Sequence, residues 1–172
     1  MIFGLAASAH AQMQVSPAIA KTANQWFHHA PAAPPLHCKL KIVKPFLDFS
    51  FRFESGYVVD CPMRQFGGKR TTLDTFVRVS PEGAPPRLLG ISHDVPGEPP
   101  GMPLAISKFK ADARFSGGFS LGEGQYEVSL LVRDDLGRFF ERTWKIKYPP
   151  AEPEALRLLA PQRGLAASVM WR

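Results

Sequence analysis

Residues 109–148 constrain the fold more than any other stretch, because hydrophobic period, turn chemistry and length agree there. Phe109, Ala111, Ala113 and Phe115 alternate with Lys108, Lys110, Asp112 and Arg114, the period-two signature of a strand with one buried and one wet face. Gly117 and Gly118 are read as its end. Tyr126, Val128, Leu130 and Val132 then alternate with Gln125, Glu127, Ser129 and Arg133. Asp134-Asp135-Leu136-Gly137-Arg138 supplies turn residues, after which Phe140, Trp144, Ile146 and Tyr148 return on one face. That is an antiparallel hairpin, and a single hairpin cannot bury its apolar face alone.

Partners for it recur along the chain. Leu40, Ile42 and Val43 lead through Pro45 into Leu47, Phe49, Phe51 and Phe53, with polar residues strictly between the rings, so the phenylalanines are expected in the core rather than on a stacking platform. Glu54-Ser55-Gly56 is read as a turn, with Tyr57, Val59, Cys61 and Met63 continuing on one side. Leu73, Val77 and Val79, then a short strand over 87–95 with Leu89 and Ile91, follow after Gly and Pro punctuation. About seven short strands with close turn signals and no persuasive helical period predict an all-β, immunoglobulin-like antiparallel β-sandwich with flexible N- and C-terminal tails.

The chain of 172 residues suits one such domain plus tails, with 17 prolines marking the connections. Residues 1–11 are apolar and uncharged, and Ala9-His10-Ala11 fits the small-x-small pattern before a signal cleavage site. The segment reads as the remnant of a secretory signal. The missing basic leader places the true start upstream of Met1. Residues 12–38 read as a Pro-rich linker or arm, 39–149 as the sandwich and 150–172 as a C-terminal tail with a short helical turn over 154–160. No run approaches the roughly 18 apolar residues of a membrane span, so a secreted or periplasmic location is expected.

The formal charge of +6 favours acidic partners, although the basic residues are spread along the polar sides of the strands. Nucleic acid is not expected, since no basic and aromatic motif interleaves. No cofactor is expected either. In the arm, His28, His29, His37 and Cys38 form the only His/Cys concentration, but the Pro-rich spacer departs from recognised zinc spacings, and plain linker residues are the preferred reading.

Two connections are the candidate binding sites. The loop over 92–103 carries His93, Asp94 and Glu98, and the turn containing Gly67 and Gly68 carries Lys69 and Arg70 without the residue order of a P-loop. No nucleophile elbow, zincin helix or Cys-x-x-Cys is present, so a small hydrolase would have to use His93, the only histidine in the predicted sandwich, with Asp94 or Glu98.

Gly124-Gln125-Tyr126-Glu127-Val128 resembles the tyrosine corner of immunoglobulin-like sandwiches, in which a Tyr at the start of the penultimate strand bonds back to the preceding connection. The run Phe119-Ser120-Leu121-Gly122-Glu123-Gly124-Gln125-Tyr126, with Arg133-Asp134, Gly137-Arg138 and Trp144, is also similar to uncharacterised secreted proteins of soil bacteria. The resemblance implies export and fold, and brings no activity. Cys38 and Cys61 depart from the antibody pattern, since both lie in the first half of the chain. They either pair with each other, which would stabilise by about 3 kcal/mol, or leave Cys61 as a buried thiol. The expected function is a non-catalytic, exported binding or scaffolding domain for an envelope protein or an anionic cell-wall polymer, with the hydrolase and the metal module as alternatives.

Overall fold

Alternating strands with one apolar side need a second layer, and the chain supplies it from strands drawn from both of its halves. The structure, a computed structural model, describes residues 13–28, 34–47, 53–97, 111–122, 124–148 and 166–169. In chain order these form β1 (Met13–Gln14), α1 (Pro17–Trp26), β2 (Lys39–Leu47), β3 (Phe53–Pro62), a 3-10 turn (Met63–Phe66), β4 (Thr71–Pro81), β5 (Arg87–Val95), β6 (Asp112–Leu121), β7 (Gly124–Asp134), β8 (Phe139–Tyr148) and β9 (Ala166–Val169). Two antiparallel sheets result, ordered β1-β5-β4-β7-β8 and β2-β3-β6-β9. Setting aside the short β1 and β9, three strands face four, as in an immunoglobulin-like sandwich.

The core lies between the layers. Tyr57, Val59, Phe119 and Leu121 from one sheet meet Leu73, Val77, Val79, Val128, Leu130 and Val132 from the other, all essentially inaccessible to solvent. Burying each such side chain contributes about 1.5–3 kcal/mol before chain entropy is subtracted. The expected hairpin is present: β7 and β8 pair from Gly124↔Tyr148 to Arg133↔Phe139. Phe53 is buried as expected, whereas Phe49, Phe51 and Phe109 lie outside the described residues.

Two expected breaks are not breaks. Glu54-Ser55-Gly56 sits inside β3 and Gly117-Gly118 inside β6, where Gly56 pairs with Gly118 and Tyr57 with Gly117. Gly56 serves close approach rather than reversal, because a Cβ there would collide with the Gly117 carbonyl. The reversal between β2 and β3 falls instead between the paired residues Leu47 and Phe53.

The expected loose arm is also corrected over 13–28. Ser16 caps α1, its Oγ accepting from the Ile19 N–H, and Pro17 occupies the first helical turn, where its missing N–H costs nothing. Ala20, Ala23, Trp26 and Phe27 form one stripe, which packs with Val15 on Phe76, Leu88, Leu131 and Phe139 of the five-stranded sheet's outer face. Arg78 lies over Phe27 at 4.5 Å and Arg133 over Trp26 at 4.7 Å, sealing the helix edges with cation–π contacts. The C-terminal tail is corrected in part. Residues 166–169 pair with Gly118–Leu121 of β6 as an added edge strand, and 154–160 lie outside the described residues.

Tyr126 is the third residue of β7, and its Oη donates to the Gly122 carbonyl at 2.7 Å, the bond-back that the tyrosine-corner resemblance implies. The bond is buried and fixes the crossing from β6 to β7. Tyr126→Phe is expected to cost about 1–2 kcal/mol, since the Gly122 carbonyl is left buried without its donor. Urea denaturation checks this; an unchanged midpoint would show that the carbonyl finds another partner.

Candidate functional site

The antiparallel register carries Lys69, Arg70, His93 and Asp94 to one end of the sandwich. There β3 ends, β4 begins, β5 ends at Val95 opposite Thr71, and β7 turns into β8. The crossing from β3 to β4 is the 3-10 turn Met63–Phe66, stopped by Gly67 and Gly68 in the left-handed region (φ 60° and 71°), which favours glycine. The Gly67 and Lys69 N–H groups donate to the Arg64 and Phe66 carbonyls. Those donors close the turn on itself and do not form a phosphate cradle.

Side chains tie this crossing to its neighbours. Gln65 brackets His37, its Oε1 accepting from the His37 N–H at 3.0 Å while its Nε2 donates to the His37 carbonyl at 3.4 Å. The Leu36 N–H donates to the Phe139 carbonyl at 2.7 Å. Arg138 reaches the Gln65 carbonyl through Nη1 and the Asp134 carboxylate through Nε, at 3.1 and 2.6 Å. Thr71 Oγ1 donates to Asp135 at 2.6 Å. Loop, lead-in and hairpin are thus one bonded unit.

Cys38 and Cys61 form a disulfide. It joins adjacent strands of one sheet, one register step beyond Lys39↔Asp60, so it is not the inter-sheet bridge of antibody domains. The pairing removes the thiolate from the suggested His/Cys metal set. His28 is exposed, His37 has its backbone held by Gln65, and His29 lies outside the described residues. Among the described residues no group of three His, Cys, Asp or Glu side chains is placed to hold a metal ion.

The loop over 92–103 is shorter than expected at its start, because Ser92, His93, Asp94 and Val95 belong to β5. Its alternation sends His93 and Asp94 to opposite faces. The His93 ring stacks on Phe115 of the other sheet, with centroids 4.6 Å apart. Asp94 instead accepts from Arg70 Nη2 at 2.9 Å and Thr72 Oγ1 at 3.3 Å on the outer face. The two suggested clusters therefore meet, but Arg70 spends its charge on Asp94. Glu98 lies outside the described residues.

The feature missed in the sequence is a groove of about 650 Å³ beside the disulfide. The segment from Pro35 to Lys39, the end of β3 and the start of β8 form its walls, and Leu36, Phe139 and Phe140 supply apolar surface. Its rim carries His37, Lys39, Arg64 and Arg142 against one carboxylate, Glu141. Arg142 donates to the Glu141 carbonyl and lies 4.8 Å above the Phe140 ring, which orients its guanidinium. Neither Lys39, Arg64 nor Arg142 forms an ion pair with a described residue. Compared with known proteins, the chain matches no family model and no curated sequence. The groove must therefore speak through its own chemistry. Three cations and a histidine at a half-apolar cleft suit an anion that also carries a flat or aliphatic surface. Among the described residues no helix is long and apolar enough to cross a membrane.

Proposed function

We propose that this protein is an exported, non-catalytic binding domain that engages an acidic component of the cell envelope. The basic groove carries the reading. It gathers Lys39, Arg64 and Arg142 around one carboxylate, Glu141, and none of the three forms an ion pair with a described residue, whereas Arg70, Arg114 and Arg138 elsewhere are each paired with an aspartate. Cations gathered in one cleft with apolar surface beside them are available to an outside partner, whereas those paired with an aspartate are not. Support for export comes from the Cys38–Cys61 disulfide, since such bonds persist in oxidising compartments, and from the apolar leader ending at Ala9-His10-Ala11.

Co-sedimentation of the disulfide-bonded protein with isolated cell walls and membranes, across a salt series, tests the reading. Binding is expected to weaken with salt yet survive at physiological ionic strength, because the groove's apolar wall contributes a part that ions do not screen. Arg64→Gln with Arg142→Gln should weaken it roughly tenfold while leaving thermal unfolding close to wild type, the effect of removing two rim charges. Absence of sedimentation with either fraction at every salt concentration would falsify the proposal.

A further inference from the structure

The groove opens at Lys39 onto the free edge of β2. Among the described residues no strand pairs with that edge, and over Lys39, Leu40, Lys41, Ile42 and Val43 the ladder to β3 is unbroken, so the edge is a straight template of five residues. The Cα atoms of Cys38 and Cys61 are 4.3 Å apart, the spacing of a non-hydrogen-bonded pair, near 4.5 Å, rather than a hydrogen-bonded one, near 5.5 Å. Counting along the register, Leu40 and Ile42 occupy the same kind of position. Their N–H and C=O groups therefore point away from β3, toward the open edge.

Side chains divide by the same parity. Leu40 and Ile42 stand opposite the buried Val59 and Tyr57, on the core side, yet Ile42 remains 41% exposed at the open seam. Lys39 and Lys41 stand on the outer face, opposite Asp60 and Val58. Asp60 does not answer that charge alone: Arg114 holds both its oxygens, at 2.6 and 3.1 Å, and keeps its carboxyl below the usual range. Lys44 adds a further exposed cation where the ladder shifts, beside exposed Phe46. A second copy of this chain is a poor occupant, since β2 against β2 would set lysines on lysines.

We infer that β2 receives an extended polypeptide whose residues alternate between acidic and apolar, added to the sheet as a further strand. This rests on the acidic-partner reading above and names the partner's chemistry. The added strand bonds to Leu40 and Ile42 through its backbone. Its carboxylates meet Lys39 and Lys41 on the outer face, and its apolar side chains close the seam over Leu40 and Ile42. The disulfide anchors the template's first residue, and beyond it the strand's end runs into the groove at Arg64 and Arg142.

The test is titration of the full, disulfide-bonded chain with a short peptide of alternating glutamate and valine, followed by backbone amide NMR. Expected are saturable shifts and slowed exchange centred on Leu40 and Ile42, and roughly tenfold weaker binding on Lys39→Gln with Lys41→Gln. The same peptide N-methylated at alternate residues should not bind, because half its strand donors are gone, and Ile42→Pro should abolish binding by removing an edge donor without touching the β3 ladder. Wild-type affinity for the N-methylated peptide, or shifts centred away from β2, overturns the inference whether or not the proline variant folds. Envelope co-sedimentation that survives alongside that result leaves the acidic-partner reading standing; loss of both removes it as well.

Discussion

Asp134→Ala is expected to cost about 3–5 kcal/mol of stability, the scale for breaking a buried, hydrogen-bonded charge pair by removing one partner. The Asp134 side chain is 0% exposed and that of Arg138 20%, so solvent screens this pair little. One carboxylate oxygen accepts the backbone N–H groups of Leu136 and Arg138, at 3.1 and 2.8 Å, while the other accepts Arg138 Nε. Truncation leaves two turn amides without their acceptor and the Arg138 guanidinium without its counter-charge. Arg138 also loses the brace that aims it at the Gln65 carbonyl, so the damage should pass from the β7–β8 turn to the β3–β4 crossing. Urea denaturation reads the loss directly, and a melting temperature lower by about 10–15 °C is expected for a domain of this size. Asp134→Asn should fall between, since its amide oxygen can still accept from a turn amide. A loss below about 1 kcal/mol on Asp134→Ala would mean that Gly137 and the backbone bonds hold the turn by themselves.

The second large effect is expected from the disulfide. Replacing Cys38 and Cys61 together by alanine should destabilise by about 3 kcal/mol, the chain-entropy value for the loop closed by their 23-residue separation. Much of that arises in the unfolded chain, which gains freedom when the crosslink is absent. A folded-state part adds to it, because Cys61 is wholly buried in the main core and two alanines leave the sulfur volume empty. Denaturation of oxidised, reduced and doubly substituted protein separates the two: the reduced protein keeps both sulfurs, so its loss reports the crosslink, and the further loss on substitution reports packing. Equal stability of oxidised and reduced protein would contradict the assignment.

Much of the sandwich could be read from period two and turn residues alone, as the hairpin around Asp134 to Arg138 illustrates. The glycines were harder. Gly56 and Gly117 look like punctuation in a linear sequence, and only the pairing of β3 with β6 reveals that Gly56 leaves room for the Gly117 carbonyl. The helix over 17–26 was illegible for a different reason: Ala20 and Ala23 give its buried stripe little hydrophobic contrast, while the large partners, Phe76, Leu88 and Leu131, sit far away in the chain. A signal was available there, since Phe76 and Leu131 are apolar at outward positions of their strands and so announce a covering layer. For the site, the stretches around Arg70 and Asp94 could be singled out by composition, but their mutual neutralisation could not. The groove was hidden altogether, because Lys39, Arg64 and Arg142 are distant in sequence and become neighbours only where β8 starts beside the end of β3.

The docked helix also imposes an order on synthesis. Its residues leave the ribosome, and cross any membrane they are threaded through, before every surface on which they rest: Phe76 and Leu88 come some fifty residues later or more, and Leu131 and Phe139 come later still. Until β8 has emerged, Trp26 and Phe27 have no place to go. The Cys38–Cys61 loop, by contrast, is local and can close while the second sheet is still being made. A segment made before its whole seat is thus seated late, and its apolar stripe is open to a holdase throughout that interval.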